Sequence, residues 1–149
     1  QVAADVLAEC RRVGIPLVLE PLFFGLADPA DRPGVVIETT RRFAALGPDL
    51  LKLPFPVDVD HDTDPASWHS WCAQITDLCS MPWALLSGGG TFESFAAQVE
   101  AAVDAGCSGF LVGRALWGEA VLAPAEQRTH LIATQVIPRF EHLRSIVDR

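Results

Sequence analysis

The sequence predicts an α/β protein of the (β/α)8 TIM-barrel type, with about four βα units that form only the second half of such a barrel. Short apolar runs alternate with longer segments of helical period along the 149 residues. The runs are nearly continuous, as expected for parallel strands buried on both faces. Each run also ends in a reactive or ligand-binding residue, which is where such barrels carry their chemistry.

The elements follow in the order helix, then strand and helix in alternation. Residues 2–13 read as a leading helix, and apolar residues recur at helical spacing before Gly47, Pro82 and Gly106. The predicted strands are residues 15–19, 49–53, 82–86 and 109–112, the helices between them lie within 36–46, 68–78 and 92–103, and residues 125–147 form a long helix interrupted by Pro138. Strands alternating with helices predict a parallel sheet.

The chain length indicates how much of a barrel is present. A complete barrel typically takes about 250 residues, so 149 residues with four units correspond to half of one. No linker or composition shift divides the chain, and we therefore expect residues 1–149 to form a single partial domain. An open doubly wound sheet is the alternative architecture, because it also binds ligands beyond the carboxyl ends of its strands.

The composition argues against two classes of binding partner, nucleic acids and membranes. Half of the residues are apolar and the formal net charge is −8, which argues against a nucleic-acid surface. No apolar run is long enough to cross a bilayer, and no signal peptide is visible, so we expect no membrane partner and a cytoplasmic location. The cysteines, which form no CxxC pair, are interpreted as reduced packing residues: Cys10, Cys72, Cys79 and Cys107.

Lys52 is the only lysine of the chain, and it lies in the apolar run 49–56. Every other basic side chain apart from histidine is an arginine, which keeps its proton and forms no imine. Apolar surroundings disfavour the charged form of a lysine and make the neutral amine available to attack a carbonyl. The alternative is a lysine at a strand end that extends its ammonium to water.

Polar residues at the ends of the four predicted strands are spaced like βα units. Glu20, Lys52, Ser87 and Arg114 lie 32, 35 and 27 residues apart, and one unit takes about 30 residues. Because the carboxyl ends of parallel strands meet at one end of a barrel, these side chains are expected to converge.

The segment from Ser87 to Gly90 contains three consecutive glycines and opens the helix that begins near Thr91. Glycines let backbone amides approach an anion closely at a helix N-terminus. Gly113 and Arg114 follow the next strand and would bring a guanidinium to the same oxygens. The pattern predicts a phosphate site; the alternative is a flexible turn beside an arginine that pairs with a carboxylate.

Four segments resemble strands of the tagatose-1,6-bisphosphate aldolase family, which also includes sulfofructose-phosphate aldolases. They are GIPLVLE at 14–20, DLLK at 49–52, LLSGG at 85–89 and VGRALW at 112–117. Family members are class I aldolases on a (β/α)8 barrel. They cleave a phosphorylated ketose through a lysine imine, release dihydroxyacetone phosphate and an aldehyde, and need no cofactor or metal.

The resemblance implies a role for each matching residue. Lys52 corresponds to the imine-forming lysine and Glu20 to the glutamate that moves protons. The residues that match the family's anion site are Ser87, Gly88 and Arg114, beside Gly89 and Gly113. Pro54 stands where the tagatose enzymes usually carry a glutamate, which leaves the sugar open, and Gly88 replaces an alanine.

Strands one to four of the family's barrel have no counterpart here, so the expected partners are a sugar phosphate and either the missing N-terminal half barrel or a second copy of the chain. Two other functions stay open. One is a non-catalytic half barrel that binds a phosphate ligand. The other is a metal-assisted enzyme that uses the aspartates of loop 58–64, although that loop lacks the glycine and glutamate of an EF-hand.

Overall fold

The computed structural model describes residues 1–149 and contains one sheet of four parallel strands. These are β1 (Val18–Leu19), β2 (Leu50–Leu53), β3 (Trp83–Leu86) and β4 (Gly109–Leu111), and they are hydrogen-bonded in that order. Lys52 pairs in register with Ala84, and Ala84 with Gly109. The parallel sheet confirms the predicted fold class.

Helices alternate with the strands along the chain, as predicted. Two one-turn elements, a 3-10 helix at Pro29–Asp31 and a π-helix at Ile132–Val136, accompany the seven α-helices. The α-helices are α1 (Val2–Val13), α2 (Arg32–Ala44), α3 (Pro65–Leu78), α4 (Phe92–Asp104), α5 (Arg114–Leu122), α6 (Ala125–Leu131) and α7 (Ile137–Val147).

The hydrophobic core lies on one face of the sheet. Leu51 and Leu53 of β2 are fully buried in a cluster that includes residues of α2, α3, α4 and α7, whereas Lys52, between them, points to the other face. On that second face Val18 is 53% exposed and Leu111 is 42% exposed. Helices thus cover a single face, as in a barrel wall, whereas an open doubly wound sheet carries helices on both faces.

Strand β1 is shorter than the predicted strand at 15–19. Pro16 has no backbone N–H to donate, and the N–H of Leu17 bonds the Asp49 carboxylate at 2.7 Å. The carbonyl of Leu17 accepts from the backbone of Asp49 and Leu50. The chain therefore enters the sheet only at Val18.

The C-terminal region differs from the prediction in two ways. Helix α5 was not predicted. The long helix is interrupted near Pro138 as expected, but the irregular segment is the π-helix at Ile132–Val136, just before the proline. There the N–H of Ile137 bonds the carbonyl of Ile132, because Pro138 cannot supply a regular helical donor.

Thr40 carries the one buried side-chain oxygen that has no hydrogen-bond partner. Its residue is 0% exposed on the inner face of α2. Because an unpaired buried hydroxyl is unfavourable, Thr40→Val should raise the free energy of unfolding by about 1 kcal/mol, measured by urea titration. Thr39→Val on the same helix, where the side chain is only half-buried, is the matched control. A Thr40→Val protein less stable than the parent would contradict this assignment.

The cysteines contribute to packing. All four are free thiols. Cys72 and Cys107 are buried in the core, and burial raises the pKa of the Cys72 thiol to about 12 and that of Cys107 to about 11.

Among the seven α-helices, none has the length and apolar character that a bilayer crossing requires.

Candidate active site

One pocket at the carboxyl ends of the strands contains every residue to which the family resemblance gives a role. Its volume is about 740 Å³, and it opens on the face of the sheet that the helices leave uncovered. The predicted residues that line it are Glu20, Lys52, Ser87, Gly88, Gly89, Gly113 and Arg114. The parallel sheet brings them together because each follows or ends a strand.

Lys52 and Glu20 form an ion pair at the floor of this pocket. Lys52 Nζ donates to Glu20 Oε2 at 2.7 Å, and the two side chains are 25% and 35% exposed. The residues in register with Lys52 across the sheet are the small Ala84 and Gly109, so no bulky side chain covers the amine from the neighbouring strands. The lysine is therefore partnered and reachable, rather than enclosed by the leucines of its own strand.

The glycine turn between β3 and α4 has the backbone that the sequence predicts for close approach to a ligand. Gly88 and Gly89 have φ values of +57° and +85°, which residues other than glycine rarely adopt. Helix α4 begins directly afterwards, where Thr91 Oγ1 accepts the N–H of Ser94 at 3.2 Å. The turn thus lies at the positive end of a 13-residue helix.

Arg114 lies against that turn. It is the first residue of α5, and an ideal Cβ built on Gly89 would lie 3.2 Å from its Nη2 atom. The chain has seven ion pairs, and Arg114 takes part in none of them. Within this chain, Arg114 therefore pairs with no carboxylate. A guanidinium beside backbone amides of a helix N-terminus is suited to hold a phosphate or sulfonate group.

The pocket also contains large apolar residues that sequence reasoning did not assign to the site. Leu22 and Phe24 come from the segment after β1, and Trp117 lies one turn into α5. Trp117 belongs to the VGRALW segment. The buried residues of its helix are Ala115, Leu116 and Ala120, and the last two lie four residues apart, which is helical spacing. That spacing was the available signal for α5.

The aspartate loop after β2 forms turns rather than a metal centre. Asp58 and Asp62 each accept the backbone N–H two residues later at 3.0 Å, and Asp64 caps α3 through the N–H of Ala66. The Ser67 hydroxyl and then the backbone N–H of Asp64 hold the pKa of Asp62 below its usual range. No three His, Cys, Asp or Glu side chains of the chain converge to hold a metal ion. The side chains of Asp58, Asp62 and Asp64 are thus engaged in turns and a helix cap.

The chain is half of a (β/α)8 barrel, with a lysine–glutamate pair, a glycine turn and an arginine at the carboxyl ends of its strands, which is where such barrels carry their active sites. The profile of the DeoC/LacD family aldolases matches residues 1–119. The chain belongs to the DeoC/LacD aldolase family, which confirms the resemblance found in the sequence.

Individual relatives agree with this assignment. A tagatose 1,6-diphosphate aldolase of Listeria monocytogenes is 31% identical in an alignment of 137 positions, gaps included, that covers 76% of this chain and 40% of that protein. An uncharacterized aldolase of Saccharolobus solfataricus is 30% identical over 121 residues, covering 78% of this chain and 40% of its own length. The chain thus spans less than half the length of these relatives.

A solved structure gives the same extent of fold. An archaeal fructose-1,6-bisphosphate aldolase, described with its catalytic lysine covalently bound to the carbinolamine intermediate of its substrate, superposes with a TM-score of 0.66 at 21% identity. The match covers 97% of this chain and 50% of that one. The fold is therefore about half of an aldolase barrel.

Proposed function

We propose that this chain supplies the reacting half of a class I aldolase, which cleaves a phosphorylated ketose through an imine on Lys52 and releases dihydroxyacetone phosphate. The observation that carries the proposal is the 2.7 Å contact between Lys52 Nζ and Glu20 Oε2 in the pocket that also contains the glycine turn and Arg114. Family membership supports it, and so does the covalent carbinolamine on the catalytic lysine of the archaeal structure.

Imine formation needs a neutral amine and a nearby proton acceptor. Lys52 gives a proton to the Glu20 carboxylate, and the Nζ electron pair forms a bond to the ketose carbonyl carbon while the C=O π electrons move to the oxygen. That oxygen then takes the proton that Nζ loses on forming the new bond and becomes the carbinolamine hydroxyl. The resulting carbinolamine loses its hydroxyl as water when the protonated Glu20 donates to it. One carboxylate within hydrogen-bond reach therefore serves both directions of proton transfer.

Carbon–carbon cleavage uses the iminium as an electron sink. Glu20 takes the proton of the hydroxyl next to the breaking bond, the aldehyde leaves, and the bonding electrons form an enamine on Lys52. Protonation of the enamine and hydrolysis of the imine release dihydroxyacetone phosphate. The phosphate stays at the glycine turn and Arg114 throughout, which fixes the carbonyl carbon near Nζ.

Arg114→Ala tests the anion site. Loss of a charge-assisted hydrogen bond should raise KM for the phosphorylated ketose by about 10- to 100-fold with a smaller change in kcat, because the contact is made equally before and during the reaction. Arg114→Lys should recover part of the loss, since lysine keeps the charge but not the planar fork. Steady-state kinetics would measure both.

The exposed Arg144, which pairs with Asp148 at 3.6 Å far along the last helix, provides the matched Arg144→Ala control. A phosphate-free analogue should be indifferent to Arg114→Ala. If Arg114→Ala reduced the activity on that analogue as much as the activity on the phosphorylated sugar, Arg114 would support the fold instead of binding an anion.

The uncovered face of the sheet needs a partner in this proposal. Val18, Leu22, Phe24 and Leu111 expose apolar surface there, and exposed apolar faces of this kind are normally covered. We propose the family's first four βα units as the covering element, and a second copy of the chain as the alternative. Sedimentation of the isolated chain distinguishes them, because only the alternative predicts a dimer.

Release of dihydroxyacetone phosphate from phosphorylated ketoses tests the function directly. Reduction of the product by glycerol-3-phosphate dehydrogenase and NADH would report turnover, and the rate should persist in a chelator such as EDTA. A protein that binds these sugars in the pocket without any turnover would instead be the non-catalytic phosphate-binding half barrel.

A further inference from the structure

Glu20 is not held by the strand ladder that precedes it. The β1–β2 pairing consists of Val18 with Leu50 and Leu19 with Leu51, and it ends there. Lys52, in contrast, lies inside β2 and pairs with Ala84 of β3. The position of the carboxylate therefore depends on the segment that follows it, in which Pro21 is buried and the residues from 22 onward donate no backbone hydrogen bond before Ala30.

Arg32 connects the two segments that follow the reacting residues. Its Nε donates to the carbonyl of Phe55 at 3.0 Å, and its Cζ lies 5.4 Å from the ring centroid of Phe23. Phe23 comes three residues after Glu20, and Phe55 comes three residues after Lys52. One guanidinium at the start of α2 thus bridges the exits of β1 and β2.

The environment of Arg32 is unusual for an arginine. The side chain is half-buried and takes part in none of the seven ion pairs. Burial lowers the pKa of its guanidinium, and the charge of Asp58 partly opposes this. The hydrogen bond to the Phe55 carbonyl and the contact with the Phe23 ring compensate for the cost of desolvating the guanidinium. These two contacts, rather than an ion pair with a carboxylate, therefore fix its position.

We propose that Arg32 is a positioning residue, which holds the segment carrying Glu20 against the segment that follows Lys52 and thereby keeps the carboxylate within proton-transfer distance of the amine. This inference rests on the proposed function. Phe55 is itself anchored, since it is buried and packs edge-on against Trp68 with ring centroids 5.3 Å apart. The movable end of the bridge is therefore the segment of Phe23 and Glu20.

The proposal separates proton transfer from anion binding. Arg32 does not line the pocket of Lys52, although it lines a neighbouring pocket of about 390 Å³ with Ser87, Gly88 and Gly90 of the glycine turn. Gly89 and Arg114 line the pocket of Lys52 and not this neighbouring one, so Arg32 takes no part in the anion contact proposed for Arg114. Loss of the bridge should therefore slow imine formation while the affinity for the phosphate stays close to that of the parent. A residue that merely supported the fold would lower both together.

Arg32→Met in the full-length protein tests the inference, with Arg42→Met as the matched control. Arg42 lies on the same helix, is 73% exposed and pairs only with Glu38. The rate of borohydride trapping with dihydroxyacetone phosphate should fall about 10- to 100-fold in Arg32→Met, because small misplacements of a reacting group have effects of this size. The concentration of dihydroxyacetone phosphate that half-saturates trapping should change less than about threefold.

If Arg32→Met does not fold, Arg32→Lys is the variant that tests the inference. Lysine donates to the Phe55 carbonyl but cannot also lie flat on the Phe23 ring, so its trapping rate should be intermediate. A folded Arg32→Lys or Arg32→Met protein that traps as fast as Arg42→Met would overturn the proposal, as would an equal loss of rate and affinity.

Limited proteolysis separates this inference from the proposed function. Chymotrypsin should cleave beside Phe23 and Phe24 faster in Arg32→Met than in Arg42→Met, whatever the protein catalyses. An absence of trapping in the unsubstituted protein would contradict the proposed function. Equal cleavage of the two variants within residues 22–28 would contradict the bridge.

Discussion

Lys52→Met should abolish cleavage of the phosphorylated ketose, with a loss of at least about 10⁴-fold in turnover, while the protein stays folded. Methionine fills the space of the lysine stem but offers no nucleophile. Glu20 would lose its partner, but its side chain is 35% exposed and can take up water instead. Lys52→Arg should be equally inactive, because the guanidinium forms no imine.

Leu50→Met is the control for Lys52→Met. Leu50 lies two residues earlier on the same strand and face, and its exchange for methionine conserves volume, so the activity should be nearly unchanged. Circular dichroism would establish that each variant is folded. Turnover that survives in Lys52→Met or Lys52→Arg would mean that the imine does not form on this residue.

Glu20→Gln should lower the cleavage rate by about 10²- to 10⁴-fold, because the amide cannot accept the proton of Lys52 or return it to the carbinolamine. Glutamine keeps the shape and can still contact the amine that lies 2.7 Å from Oε2. The imine should therefore still be trapped by borohydride, only more slowly. Initial-rate and trapping measurements on one preparation would separate these two effects.

Glu119→Gln is the corresponding control for the carboxylate. Glu119 is exposed on α5 and pairs with Arg139 at 3.3 Å, outside the pocket. Its substitution should not change the cleavage rate. Equal rates for Glu20→Gln and the parent at every pH would assign Glu20 a structural role as the counter-ion of Lys52.

Local sequence features predicted those elements whose ends carry strong chemical signals. Helix α1 ends at Gly14, whose φ of +73° closes the helix in the left-handed region, and its predicted bounds are confirmed. Helix α4 begins after Thr91, which caps it. Strand β1 is shorter than predicted because the hydrogen bonds of Leu17 go to Asp49, 32 residues away, which no local pattern reveals.

The convergence of the candidate site residues could be predicted from the order of strands and helices. A residue that ends a parallel strand must lie at one edge of the sheet, so the convergence of Glu20, Lys52, Ser87 and Arg114 follows from the element order alone. The supporting contacts were not predictable. Arg32 reaches Phe55 across 23 residues, and only the packing of α2 on the sheet determines which carbonyl its Nε meets.

Borohydride trapping with dihydroxyacetone phosphate, followed by peptide mass spectrometry, tests the central claim most directly. The unsubstituted protein should gain one reduced three-carbon phosphate adduct, located on Lys52, and Lys52→Met should gain none. Because the chain contains a single lysine, the adduct within residues 1–149 has no other lysine to occupy. A protein that releases dihydroxyacetone phosphate from a ketose yet shows no adduct on Lys52 would contradict the account.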